Sequence, residues 1–182
     1  ASAVNIAETA QIISDGGIDI VSDGGQGVIL DGTVLNTGNL GGDINITATN
    51  TSIDLKHYDF DPNSQDYANT PVRVKNEQGD ISVTAKSITN STGKEGVSLI
   101  ATGNISLNAT GGSVGTMDSV VNNSKTDGFV NIDDTLSVNV LAGGKTSASA
   151  TGDVNVRGYK MVNELTTKNM EYGSVNAGAT AF

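Results

Sequence analysis

A short repeated frame constrains the fold of this chain more than any other feature. At Gly42 it reads GDINI: a glycine, a small residue, then an aliphatic, a polar and an aliphatic residue. Further copies begin at Gly16, Gly79, Gly103, Gly128, Gly152 and Gly173. Successive copies start 26, 37, 24, 25, 24 and 21 residues apart. Repeats of this length are typical of solenoids and repeat arrays.

Alternation within the frame predicts a β-strand with one buried face, because successive side chains of a strand point to opposite sides. The outer two of the last three positions are aliphatic in nearly every copy, and the position between them is small and polar. We expect the aliphatic pairs, from Ile18 and Ile20 to Val175 and Ala177, to stack as one column inside a single tube. They begin at Ile18, Ile44, Ile81, Ile105, Val130, Val154 and Val175.

The period, close to 24 residues, indicates which repeat architecture this is. Further β-like runs separated by Gly, Asn, Asp and Ser lie between the copies, which gives two or three strands per period. A propeller blade of the WD type needs about 40 residues. The sequence therefore predicts an all-β fold: a right-handed parallel β-helix of about seven coils, forming one domain over residues 1–182.

Composition agrees with a narrow solenoid and excludes some partners. The chain has 23 Gly, no Cys, no Trp and 4% aromatic residues, and its net charge is -10. Nucleic acids and anionic membranes select for clustered Lys and Arg, whereas the 10 basic residues here are scattered. We expect neither partner. No stretch has the pattern of a signal peptide or a membrane span, and we expect the sequence to be a segment of a longer fibrous protein.

One step of 37 residues marks an insertion at residues 56–70, KHYDFDPNSQDYANT. Insertions in a repeat map to surface loops, and loops on a rigid scaffold commonly carry binding residues. We expect this loop to project from the β-helix. It either binds a cation or another ligand, or it is a solvated loop whose aromatic residues pack on the coil beneath. The candidate binding residues are His57, Tyr58, Asp59, Phe60, Asp61, Asn63, Asp66 and Tyr67.

Part of the inserted loop has the spacing of a calcium site. Asp59, Asp61 and Asn63 have the alternating oxygen ligands that open a calcium-binding loop. However, Ser64 stands where the sharp turn needs Gly, and Thr70 stands where a bidentate Glu closes the site. The three residues are a metal candidate only, and we expect no other cofactor.

The repeat weakens over residues 158–172, which have the strongest helical tendency in the chain and fit a short helix or an irregular strand. A stack of strands exposes unpaired edges at its ends unless something covers them. We therefore expect either flanking coils or an end segment such as 158–172 to cover the opening.

The repeated GDI or GNI, followed by an alternating strand and a Gly or Asn turn, resembles the filamentous-haemagglutinin type of β-helix over residues 16–179. That type occurs in the very large two-partner-secretion exoproteins of Gram-negative bacteria, including high-molecular-weight adhesins and contact-dependent inhibition proteins. The NPNL-like and NPNG-like motifs of their amino-terminal secretion domain do not occur here. The resemblance therefore implies an internal or distal segment.

The resemblance also implies a secreted or surface-exposed protein, exported across the outer membrane by a transporter partner. Adhesion to host cells, matrix or other bacteria is the common role of this group. Some of its adhesins are glycosylated at Asn-x-Ser/Thr triplets, although turns rich in Asn, Ser and Thr also produce such triplets by chance. The candidates are Asn45, Asn50, Asn90, Asn104, Asn108 and Asn122.

Three functions fit these features, and we expect the first. The chain is an adhesive module that presents its flanks or the inserted loop to a receptor, a glycan or another bacterial surface. A passive rod that holds a distal tip or toxin is the second. The third, a polysaccharide-acting β-helix, needs paired acids on one flank, and we expect no enzymatic activity. Its candidate acids are Asp59, Asp61, Asp66, Glu77 and Asp80.

Overall fold

The computed structural model of the chain describes residues 3–55, 74–91, 98–115, 137–160 and 171–177. These residues form strands and turns and contain no helix. The strands are β1 (Val4–Ile6), β2 (Gln11–Ser14), β3 (Ile18–Ser22), β4 (Val28–Leu30), β5 (Thr33–Asn36), β6 (Ile44–Leu55), β7 (Val74–Asn76), β8 (Ile81–Thr89), β9 (Leu99–Ala101), β10 (Ile105–Ala109), β11 (Val138–Ala142), β12 (Thr146–Ala150), β13 (Val154–Lys160) and β14 (Glu171–Ala177). The all-β prediction is confirmed for these residues.

The strands form two sheets in which equivalent strands of successive passes lie side by side. The first sheet has the order β1-β4-β6-β8-β10-β12, and β3 also pairs with β6. The second sheet has the order β2-β5-β7-β9-β11-β13-β14, and all its pairs are parallel except β13 with β14. Within the first sheet the paired strands form two parallel rows. The long strand β6 belongs to both rows, because its first half pairs with β3 and its second half with β4. The arrangement is compatible with a β-solenoid.

The predicted aliphatic column is present over the first four copies of the frame. Its leading members are Cα partners in the order Ile18, Ile44, Ile81 and Ile105. Each of them is at most 7% exposed. They belong to one buried cluster that also contains the inward residues of the second sheet, such as Val34 and Leu99. Each large aliphatic side chain so buried contributes about 1.5–3 kcal/mol before entropy is subtracted.

The column prediction is wrong for the later copies. Strand β10 pairs directly with β12, so the register partner of Ile105 is Thr146 and not the next aliphatic residue predicted for the column. Residue 130 itself lies outside the described residues. Val154 bridges to Val114 in a different row, and Val175 lies in the antiparallel strand β14. The strand that continues the column, Thr146–Ala150, keeps the alternation with Thr and Ala inward, so the aliphatic pattern did not reveal it.

Two stacked asparagine side chains define the turns that lead from the second sheet back to the first. The Asn36 amide donates to the Gly42 carbonyl oxygen at 2.9 Å and to Oδ1 of Asn76 at 3.2 Å. The Asn76 amide donates to the carbonyl oxygens of Gly42 at 3.0 Å and Asp80 at 2.8 Å. Both side chains are fully buried, and their bonds remove the cost of burying amides without partners.

The first glycine of the frame is required where successive turns approach each other. A β-carbon at Gly79 would overlap the carbonyl oxygen of Gly42 and lie 3.0 Å from Oδ1 of Asp43. At Gly103 it would overlap Oδ1 of Asp80 and lie 2.7 Å from the Gly79 carbonyl oxygen. The repeated glycines therefore mark the corner where the backbone of one pass rests on the next.

The end of the chain forms strands in its described part. Strand β13 continues to Lys160, three residues into the segment 158–172. Strand β14 pairs with it in antiparallel direction, with Val175 opposite Val156. Of the two alternatives for residues 158–172, the described positions adopt the strand; residues 161–170 lie outside the description. Strand β14 supplies a hydrogen-bonding partner for the edge of β13.

Gly79→Ala tests the corner. The added methyl group meets backbone atoms of the neighbouring pass, and we expect the free energy of unfolding to fall by about 1–3 kcal/mol in denaturant titrations. Gly25→Ala is the matched control, because nothing lies within 4 Å of a β-carbon there, and it should change stability by less than about 0.5 kcal/mol. Equal effects of the two substitutions would contradict the role of the corner.

Candidate functional site

Three of the long connections of the stack leave it at one corner, and a further one, residues 161–170, joins β13 to β14. In successive passes this corner is crossed by residues 31–32 between β4 and β5, by 56–73 between β6 and β7, and by 90–98 between β8 and β9. It is then crossed by residues 115–137, between Val114 and β11. The strands entering the corner are register partners, and so are the strands leaving it. The roots of the connections therefore lie next to one another along one edge, which we call the insertion edge.

A buried polar network ties these roots together. Ser98 donates from its backbone nitrogen to the Asn139 carbonyl oxygen at 3.0 Å and from Oγ to the Leu55 carbonyl oxygen at 3.1 Å. Asn90 donates from Nδ2 to the Ser137 carbonyl oxygen at 3.2 Å, and Ser137 Oγ donates to Oδ1 of Asn139 at 2.6 Å. All four polar residues are at most 2% exposed. Hydrogen-bonded groups in such a dry environment hold their partners in one geometry.

A partly exposed carboxylate, that of Asp54, extends the network outward. Oδ1 of Asp54 accepts a hydrogen bond from the Ser91 backbone nitrogen at 2.9 Å and one from Thr89 Oγ1 at 3.4 Å. The Ser91 hydroxyl donates to Oδ2 of the same carboxylate. Asp54 ends one pass at the insertion edge while Thr89 and Ser91 belong to the next, so the contact links two adjacent roots.

The predicted binding loop follows β6 and lies outside the described residues. His57, Tyr58, Asp59, Phe60, Asp61, Asn63, Asp66 and Tyr67 all lie outside the described residues, and so does the calcium candidate that Asp59, Asp61 and Asn63 form. The structure places only the two ends of the loop, at Leu55 and Val74, both fully buried. In the part of the chain that is described, no three His, Cys, Asp or Glu side chains group in a way that could hold a metal ion.

Two of the candidate acids are described, and both have partners. Oδ1 of Asp80 accepts from the Asn104 backbone nitrogen at 2.6 Å and from its amide at 3.2 Å. Glu77 pairs with Lys75, with Nζ and Oε1 2.9 Å apart. Asp80 supports the turn of the next pass, and Glu77 forms a surface ion pair. The remaining candidates, Asp59, Asp61 and Asp66, are in the loop.

The six triplet asparagines differ in access. Asn90 is 1% exposed within the polar network, whereas Asn45, Asn50, Asn104 and Asn108 are exposed. Asn45 donates its amide to Asp19, Asn50 donates to the Asp23 carbonyl oxygen and Asn104 donates to Asp80. Asn108 accepts from Ser149 through Oδ1, and its amide nitrogen makes no hydrogen bond to the described residues. Asn122 lies outside the description.

Reasoning from the sequence missed the insertion edge. Asn90, Ser98, Ser137 and Asn139 read as ordinary turn and strand residues, and nothing in their spacing shows that they meet. Three unequal gaps at equivalent places in the repeat were the available signal, and detecting it required the strand register.

Comparison with protein-family models, with curated proteins and with solved structures found no match to this chain. Among the described residues there is no helix of the length and apolar character needed to cross a membrane.

Asn90→Ala tests the root network. Loss of a buried amide leaves the Ser137 carbonyl oxygen without this donor, and we expect a loss of about 1–3 kcal/mol in unfolding free energy. Asn50→Ala removes the same group from an exposed position and should cost less than about 0.5 kcal/mol. If the two variants unfold at the same denaturant concentration, Asn90 does not anchor the corner.

Access predicts which triplets can be modified. When the folded chain is treated with an enzyme that glycosylates Asn-x-Ser/Thr, we expect modification of Asn108 and none of Asn90 by peptide mass spectrometry. As the control, chain that has been unfolded in urea is treated with the same enzyme, and it should be glycosylated at Asn90. Modification of Asn90 in the folded chain would contradict its burial.

Proposed function

We propose that this chain is a structural and adhesive segment of a large secreted or surface-exposed bacterial exoprotein of the filamentous-haemagglutinin type. Its role is attachment to host cells, matrix or other bacteria, through a receptor or glycan that binds at the insertion edge. Export of the full-length protein would use an outer-membrane transporter. One observation carries the proposal: three long connections leave a rigid stack at a single edge, and buried hydrogen bonds join their roots.

The physical support is the contrast between scaffold and connections. Strand pairing, the aliphatic column and the asparagine stack fix each pass relative to the next. Residues inserted at the edge are thus presented from fixed points, so less ordering of the scaffold is needed when a partner binds. Neighbouring strands lie about 4.8 Å apart, which places the roots of successive connections close enough for a single ligand to contact more than one of them.

The finer architecture that goes with this function is a right-handed parallel β-helix. Parallel strands joined by a crossover within a sheet have this hand in about 98% of cases, which is the basis of the proposal. The sequence predicts about seven coils, and the six mutually parallel strands of the second sheet favour about six.

A passive spacer is the second candidate, favoured by the regular register of the stack. A rod needs only repeated strand pairing, and both functions use the same scaffold. The polysaccharide-acting alternative gains no support from the described acids, since Asp80 and Glu77 are engaged by Asn104 and Lys75.

Replacing residues 56–73 by Asp-Gly-Thr tests the adhesive function. This replacement copies Asp31, Gly32 and Thr33, which connect Leu30 to Val34, the register partners of Leu55 and Val74, so the stack should remain folded. On a glycan array and on cultured cells, we expect the intact chain to bind and the shortened chain to lose about tenfold or more in affinity.

A second replacement provides the control. Residues 92–97 exchanged for a Gly-Ser segment of equal length alter the same edge without removing the aromatic loop, and binding should then fall less. Unchanged binding after loss of 56–73 would place the ligand on the flanks and contradict the role of the loop. Failure of the intact chain to bind any glycan or cell would favour the spacer.

A further inference from the structure

The outward positions of the first sheet form two rows of small polar side chains that run along the stack. Strands β6, β8, β10 and β12 pair without a register shift over residues 44–48, 81–85, 105–109 and 146–150. The side chains between their inward-facing residues are exposed or half-buried. One row contains Asn45, Ser82, Ser106 and Ser147, and the other contains Thr47, Thr84, Asn108 and Ser149.

Neither row carries a charge over these four passes. The chain has 20 acidic and 10 basic residues, yet every one of these eight positions holds Asn, Ser or Thr. In the first pass the rows continue with Asp19 and Val21. The uncharged positions offer no ion pair to a ligand, and the net charge of -10 repels anionic polymers. Hydrogen bonds are therefore the means by which these rows can hold a ligand.

Five hydroxyl groups in the rows are free to bind one, because they make no hydrogen bond to the described residues. They belong to Thr47, Ser82, Thr84, Ser106 and Ser147. At the insertion edge, by contrast, the hydroxyls of Ser98 and Ser137 donate to other groups of the chain. A hydroxyl both donates and accepts, as each hydroxyl of a sugar does. The free groups of the rows thus match a ligand that is rich in hydroxyls.

The spacing along the rows fits an extended polymer. Neighbouring strands lie about 4.8 Å apart, so each pass repeats the same pair of polar groups at that interval. A pyranose in an extended β-1,4-linked chain has close to this length, and such a chain would meet one pair of groups per sugar. Because the rows run along the stack, a further pass at either end would lengthen them and would not cover them.

We propose that the outer face of β6, β8, β10 and β12 binds an uncharged, extended polysaccharide with β-1,4 linkages. The polysaccharide lies along the stack, and its hydroxyls exchange hydrogen bonds with the side chains of successive passes. The two rows contain no aromatic side chain on which a sugar ring could stack, so each sugar contributes little and affinity accumulates with length. This face is separate from the insertion edge, and the inference does not rest on the adhesive function.

The test titrates the isotope-labelled full chain with cello-oligosaccharides and follows its backbone amide resonances. We expect shifts at residues 45–47, 82–84, 106–108 and 147–149, and an affinity about tenfold higher for cellotetraose than for cellobiose. High salt should leave the affinity unaltered, because no charge takes part.

Maltotetraose is the matched control ligand, because its α-1,4 linkages join the same sugars into a curved chain. It should bind at least about tenfold more weakly than cellotetraose. Equal affinity for the two tetrasaccharides, no binding of cellotetraose, or shifts confined to residues outside the rows would overturn the proposal.

Thr84→Val removes one hydroxyl from the rows and keeps the shape and β-propensity of the side chain. We expect the affinity for cellotetraose to fall about threefold to tenfold. Thr33→Val makes the same change at a half-buried position of β5 in the second sheet, and it should leave the affinity unaltered. Circular dichroism should show the same folded state for both variants. Equal effects of the two substitutions would refute recognition by the rows.

The chain in which Asp-Gly-Thr replaces residues 56–73 distinguishes this face from the insertion edge. It should bind cellotetraose as tightly as the intact chain does, whatever becomes of its binding to cells. Loss of cellotetraose binding in that variant would place the polysaccharide at the insertion edge and contradict the proposal.

Discussion

Hydrogen bonding between equivalent strands of successive passes is the constraint on which the rest of this structure depends. Each pass must place the same backbone atoms over the same neighbours, so a side chain that faces the core in one pass has a core-facing partner in the next. That condition puts aliphatic residues in columns and glycine where turns meet, as at Gly79. It also places Asn36 beneath Asn76, where one amide can satisfy the next. Stability then grows by repetition rather than through one large core.

Much of this was predictable because aliphatic residues alternate strictly in the first four copies. Ile44, Ile81 and their equivalents specify strand, buried face and period at once. The prediction failed where the alternation continued without the aliphatic residues, as in Thr146–Ala150. It failed again at Val175, since an alternating strand has the same pattern whether it pairs parallel or antiparallel. The pattern records which face is buried, and strand direction is decided by the connection that precedes it.

The insertion edge shows a second limit of the sequence. Asn90 begins a glycosylation triplet and has neighbours typical of a surface turn, yet it is 1% exposed and donates to Ser137 across 47 positions of sequence. Ser98 likewise contacts Leu55 rather than its sequence neighbours. Such contacts depend on the number of residues between equivalent positions of successive passes. Insertions of different length make that number irregular, so the sequence alone does not show it. Local composition could mark the loop at 56–70 as unusual, but only the register shows which other connections share its edge.

The corners of this fold differ in the freedom they leave to sequence change. At the corner occupied by Gly79, an added side chain meets backbone. The insertion edge, by contrast, is crossed by three residues between Leu30 and Val34 and by eighteen between their register partners Leu55 and Val74. Lengthening a connection there leaves every inward-facing residue where it was. Variation can therefore accumulate at one edge while the scaffold is conserved, and the same edge is the natural place to graft foreign peptides for display.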